Sequence, residues 1–202
     1  MSNFFAKFIT FFSIFTKNTV KSKKNKINKN ELLEIGKYLF FEYFEEYKEF
    51  IDDYDKDARQ FVLKNKIILS KYDNLNLEKL SFIELIYIFG NSKNKLLVTD
   101  WRGEENEYEI ENFLEEQLER EIEWKQANEV RAKIKQDKQK EGEFATSLLK
   151  AIDKDLETQN KKLLFIELYS DSFVYTVIDH NSHQALTNKF PTHFHGSERL
   201  KF

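Results

Sequence analysis

Two apolar runs joined at a serine and an aspartate constrain this chain more than any other feature. Residues 162–169 read KLLFIELY and residues 173–179 read FVYTVID, with Ser170-Asp171-Ser172 between them. Each run is short, rich in β-branched and aromatic residues, and bounded by turn-forming polar residues, which is the pattern of a buried strand. Together they predict a β-hairpin. A third run of the same character, KLLVTDW at 95–101, ends two residues before Gly103. It predicts one more strand.

Most of the remaining sequence has a helical period. Leu32, Ile35, Leu39, Tyr43, Tyr47 and Phe50 recur every three or four residues. That predicts a helix starting at Asn30, or at Asn28 with Glu31 three residues later. Shorter helices are expected through Ala58–Leu63 and Leu77–Phe89, the latter stopped by Gly90-Asn91. Ile110, Phe113, Leu114, Leu118 and Ile122 form another stripe, as do Phe144, Leu148, Leu149, Ile152 and Leu156. Between those two stripes, Lys125–Glu141 offers only Val130 and Ile134 as sizeable aliphatics among dense charge, so it reads as a solvated helix. A short helix around Gln184 and an extended segment from Thr192 to Phe202 complete the chain. The expected class is α+β: a small mixed or antiparallel sheet of three to four strands flanked by helices.

The expected organisation is an amphipathic helix and Lys-rich linker over residues 1–29, then a single α+β domain over 30–202 with a polar helical insert near 123–142. Phe4, Phe5, Phe8, Ile9, Phe12 and Phe15 make one stripe of the first helix, and six lysines follow from Lys17 to Lys29. Lys7 interrupts the apolar run, which is too short to span a bilayer. There is no basic n-region or cleavage site of a signal peptide. An apolar stripe beside lysines suits contact with an anionic membrane surface through residues 4–29. It also suits burial in the protein or against a partner, and the lysines flank the helix instead of lining its polar face, which weakens the membrane reading.

Several functions are excluded by composition. Cysteine is absent, so disulfides, Cys-ligated zinc, Fe–S clusters and thiol catalysis are ruled out, and a reducing cytoplasm is the expected location. A net charge of −3 argues against nucleic acid as a partner. No phosphate-binding glycine loop, G-x-S-x-G elbow or H-E-x-x-H pair occurs. DDYDKDARQ places Asp53, Asp55 and Asp57 like a calcium loop, but Ala58 stands where glycine is needed and Lys64 where the bidentate glutamate belongs.

Asp100-Trp101-Arg102 admits two readings. As chemistry, Asp100 would be a base at a strand's end and Arg102 a fork for a carboxylate or phosphate. As structure, Asp100 ends the strand and bonds to the turn, Gly103 supplies an unusual backbone angle, and Trp101 packs. No nucleophile or second acid accompanies Asp100 at a recognisable spacing, which favours the structural reading. From Glu104 to Glu123 there are ten glutamates and one basic residue, Arg120. That exceeds what helix capping requires and suggests an outward acidic face for a basic partner. The expected contact residues are Trp101, Arg102, Glu104, Glu105, Glu107, Glu111 and Glu115.

A strand ending Asp100-Trp101-Arg102, an acidic helix, and the later hairpin Ser170-Asp171-Ser172-Phe173 resemble an uncharacterised bacterial domain-of-unknown-function family. The resemblance covers residues 80–180. That family usually has lysine at Arg102 and tyrosine at Phe173, and the Phe-rich N-terminus and the polar insert lie outside its pattern. It implies a fold and no catalytic residues. Small, acidic, cysteine-free bacterial proteins of this kind include immunity proteins that neutralise a toxin. The expectation is therefore a non-enzymatic protein-binding module, an immunity protein facing a basic toxin domain, with no cofactor. The alternatives are a peripheral membrane protein and a metal-dependent hydrolase. For the last, His180, His183, His193 and His195 would bind zinc, with Asp179 as a further ligand or ring-orienting group.

Overall fold

A computed structural model of the chain describes residues 28–72, 75–136, 143–168 and 170–201. The expected helix at 4–15 and the lysine linker before Asn28 lie outside the described residues. The chain divides into two compact units, ending and starting at Asn94 and Lys95. The sequence pattern marks no boundary there, because a helix and a strand follow one another without a linker-like composition.

Unit 1 is helical. Helix α1 (Lys29–Leu39) opens with a capping box in which Asn28 accepts from the Glu31 N–H and Glu31 accepts from the Asn28 N–H. The single helix expected through Phe50 is broken. Phe40 leaves helical geometry (φ −130°, ψ 39°), a 3₁₀ turn spans Phe41–Tyr43, and α2 runs Phe44–Lys56. Packing explains the break. Phe40 is buried with its ring 5.0 Å from those of both Tyr47 and Phe89. A Cβ at Gly36 would lie 2.2 Å from the Tyr47 ring, so only glycine lets α2 approach α1 this closely. Helices α3 (Ala58–Lys64), α4 (Lys66–Leu69) and α5 (Phe82–Ser92) follow. Helix α5 runs through Gly90-Asn91, and the left-handed residue beyond it is Asn94.

Unit 2 is the α+β part. Strands β1 (Leu97–Asp100), β2 (Lys161–Ile166), β3 (Ser172–Asp179) and β4 (Phe194–His195) form a sheet in the order β1-β3-β2-β4, every pairing antiparallel. The expected hairpin is β2–β3. Leu97, Tyr175, Phe165 and His195 stand opposite one another across all four strands. That row faces a core supplied by α6 (Glu109–Leu118) and α8 (Glu143–Glu157) through Ile110, Leu114, Leu148 and Ile152. The alternate residues Val174, Ile166 and Phe194 are buried as well, and α9 (His180–Lys189) packs on β2, β3 and β4.

Helix α7 (Lys125–Gln136) is solvated on one side, where Gln126, Asn128, Glu129 and Lys133 are exposed, but Ala127 and Arg131 are buried and the helix packs along α8. Its first-turn N–H groups need acceptors, and Asp155 of α8 accepts from Gln126 and Ala127. The segment 137–142 lies outside the described residues. Among the described residues no helix is long and apolar enough to cross a membrane.

Candidate functional site

The loop 101–108 between β1 and α6 is set up by its sequence neighbours. Asp100 ends β1, and its carboxylate accepts from the Arg102 N–H at 2.9 Å and Nε at 2.8 Å. The Gly103 N–H returns to the Asp100 carbonyl, and Gly103 adopts φ +121°. Asp100 and Gly103 therefore play the turn roles the sequence suggests. Trp101 is not buried. It is 40% exposed, with the Arg102 guanidinium 5.9 Å from its ring. At the loop's far end Tyr108 is 42% exposed and left-handed (φ 68°), an unusual backbone state for an aromatic residue.

Beneath the loop lies a charged cluster that the periodicity did not reveal. Arg131 of α7 forks onto Glu111, its Nε 2.9 Å and its second terminal nitrogen 2.7 Å from the two carboxylate oxygens. Its remaining terminal nitrogen bonds Glu104. The three side chains are 6%, 2% and 4% exposed for Arg131, Glu111 and Glu104. Burial opposes the guanidinium's charge, but the two carboxylates outweigh it and hold Arg131 more firmly protonated than usual. Glu104 also accepts from the Tyr108 N–H at 3.0 Å, and the Tyr108 ring stacks 4.6 Å from the Arg131 guanidinium. Glu109 accepts from the N–H groups of Glu105 and Asn106. Every turn of the loop is thus tied from within.

The acidic run consequently splits in two. Glu104 and Glu111 are turned inward, and Glu115 accepts from the Ile122 N–H and the Trp124 indole. They correct the expectation of a wholly outward face. Glu105 and Glu107 are exposed on the same loop as Trp101 and Tyr108, and Glu116, Glu119, Glu121 and Glu123 are exposed farther on.

The four histidines are not assembled into a site. His180 and His183 start α9, whereas His193 precedes β4 and His195 lies within it. His195 stacks on Phe165, and its Nδ1 lies 2.9 Å from the Gly196 carbonyl. Asp179 caps α9 by accepting from Ser182. Burial would raise its pKa, but those bonds and nearby Lys161 prevail and hold it below the usual range. Among the described residues no group of three or more His, Asp or Glu side chains could hold a metal ion.

His183 is half-buried and its Nε2 has no hydrogen-bond partner. Burial lowers its pKa, with Asp153 pulling the other way, and burial also lowers that of His193. Folding therefore favours the neutral rings. Their contribution is complete above the unfolded value near ~6.5 and is lost as pH falls through the lower folded values. Melting temperature is expected to drop as pH falls below about 6.5. The drop should be smaller in His183→Leu; an equal drop in both proteins would contradict this assignment.

A family model described as a domain of unknown function, DUF6630, matches residues 25–188. The chain belongs to the DUF6630 family. No curated protein and no solved structure matches it. The DUF6630 match takes in residues of both units, together with the loop 101–108 and its buried cluster.

Proposed function

We propose that this DUF6630 protein is a non-enzymatic binding module that docks a basic protein partner through residues 101–108. The observation that carries the reading is the exposure of Trp101 and Tyr108 on a loop pinned by buried ions. Aromatic and arginine side chains supply most of the energy in protein interfaces. A loop already held in shape loses little further entropy on binding. Exposed Glu105 and Glu107 on the same loop would steer a basic surface and speed its approach.

The contact set is therefore Trp101, Arg102, Glu105, Glu107 and Tyr108, with Glu104, Glu111 and Glu115 acting as supports. The finer reading is a cytoplasmic bacterial immunity protein that neutralises a toxin through this surface. The absence of cysteine supports the compartment, and the acidic, aromatic loop supports the partner's charge.

The test is binding to the proteins encoded by the genes flanking its own, measured by surface plasmon resonance at low and high salt. Trp101→Ala with Tyr108→Ala is expected to weaken binding at least about a hundredfold. Glu105→Lys with Glu107→Lys should slow association and flatten its salt dependence. A native protein that fails to bind, or variants that bind equally well, would reject the reading.

A further inference from the structure

The opening turn of α9 carries a ring that the fold leaves unanswered. His183 stands in that turn with its Nε2 shut off from water, and no group among the described residues bonds to it. A neutral imidazole tolerates this, because one of its nitrogens carries no proton. An imidazolium presents N–H on both, so protonation puts a charged donor at a buried position without an acceptor.

Charge reaches the ring from several neighbouring elements. Asp153 comes from α8, Lys162 from β2, Glu198 from a 3₁₀ turn at Ser197–Arg199, and His180 from its own helix. The one acid of β3, Asp179, beside Lys161, is taken up by Ser182, and His195 of β4 stacks on Phe165. Glu198 is exposed, so water screens its attraction. Asp153 is the buried acid, and it is already engaged. It accepts from the Leu163 N–H and the Ser197 hydroxyl, and it pairs with the Lys162 ammonium. Those bonds latch the C-terminal 3₁₀ turn to the start of β2.

A positive charge on His183 would therefore stand near Lys162 and at a helix N-terminus, where the dipole opposes a cation. Whatever it draws from Asp153 is taken from Ser197 and Lys162. We propose that His183 is an acid-sensitive release for this latch: on protonation the opening turn of α9 and the turn at Ser197–Arg199 come free as one local unit, while the β1–β3–β2 ladder stays paired. The ladder has its own backbone bonds and the core beneath it. The two turns are held by side-chain bonds from Asp179 and Asp153, which makes them the easier elements to open.

The test is amide hydrogen exchange on the full chain by NMR, corrected for the intrinsic effect of pH. It compares about pH 7.5 with about pH 5.5, one unit either side of an ordinary histidine. The Ser182 and Leu200 amides should accelerate about three- to tenfold relative to that of Tyr175, the ceiling being what one titrating histidine supplies. His183→Leu and His183→Gln stay neutral throughout and should abolish the gain, and either suffices if the other folds poorly. His180→Gln changes an exposed ring and should keep most of it. The inference fails if Ser182 and Leu200 keep pace with Tyr175, because the response would then be absent or global. It also fails if the gain survives in both His183 variants, since another group would then be the trigger.

Discussion

Arg131→Ala is expected to remove about 3–5 kcal/mol of folding stability, because it strands two buried carboxylates without their counter-charge. Glu104 and Glu111 are only 4% and 2% exposed and meet the same guanidinium. Arg131→Lys should recover only part of the loss, since an ammonium cannot fork onto Glu111 as the planar guanidinium does. A urea melt followed by circular dichroism reads the effect as a lower midpoint. Replacing the whole cluster gives a sharper contrast. Arg131→Met with Glu104→Leu and Glu111→Leu should return stability close to that of the native chain, because no ion is left to desolvate. That variant nonetheless loses the bond from the Tyr108 N–H to Glu104. It should therefore bind the partner weakly while folding well, which divides the cluster's stabilising role from its positioning of the loop. A loss below about 1 kcal/mol in Arg131→Ala would mean that the carboxylates are solvated after all.

The same cluster shows where the sequence stops being informative. β-branched runs locate the three longer strands, and the Asn28–Glu31 spacing offers, as the alternative to Asn30, the start that α1 adopts, because those signals are local. The partners of Arg131 lie 20 and 27 residues away, beyond the reach of any periodicity. One hint was present: Glu111 is spaced three and seven residues before Leu114 and Leu118, on the apolar side of α6. A glutamate there needs a buried cation, and α7 supplies it. Counting charges could not separate Glu111 from Glu107, since a run of glutamates looks alike whether its members face water or a guanidinium. The break at Phe40 was hidden for a related reason. The helical period continues across it, and only the packing of Phe40 between Tyr47 and Phe89 turns the chain. Trp101 shows the opposite failure: a large ring is expected to be buried, yet it is 40% exposed.

Asp153 offers a second measurable case of an acid directed inward. It sits in α8, four residues after Leu149 and three before Leu156, and is 1% exposed. Its carboxylate accepts from the Leu163 N–H at 2.7 Å and the Ser197 hydroxyl at 2.6 Å, and meets the Lys162 ammonium at 2.8 Å. One side chain thus joins a helix, the first turn of β2 and the C-terminal 3₁₀ turn at Ser197–Arg199. Asp153→Ala is expected to cost about 3 kcal/mol, since it leaves a buried N–H and a buried hydroxyl unsatisfied. Lys162 is not orphaned, because Glu157 also holds it, and the loss should therefore stay below that of Arg131→Ala. Asp153→Asn keeps an acceptor for Leu163 and should cost about half as much. Hydrogen exchange locates the damage: the amides of Leu163 and Leu200 should exchange faster in Asp153→Ala, whereas that of Ile110 should change only as far as global stability does. Uniform acceleration would show that Asp153 supports the core as a whole and does not clasp the C-terminal turn.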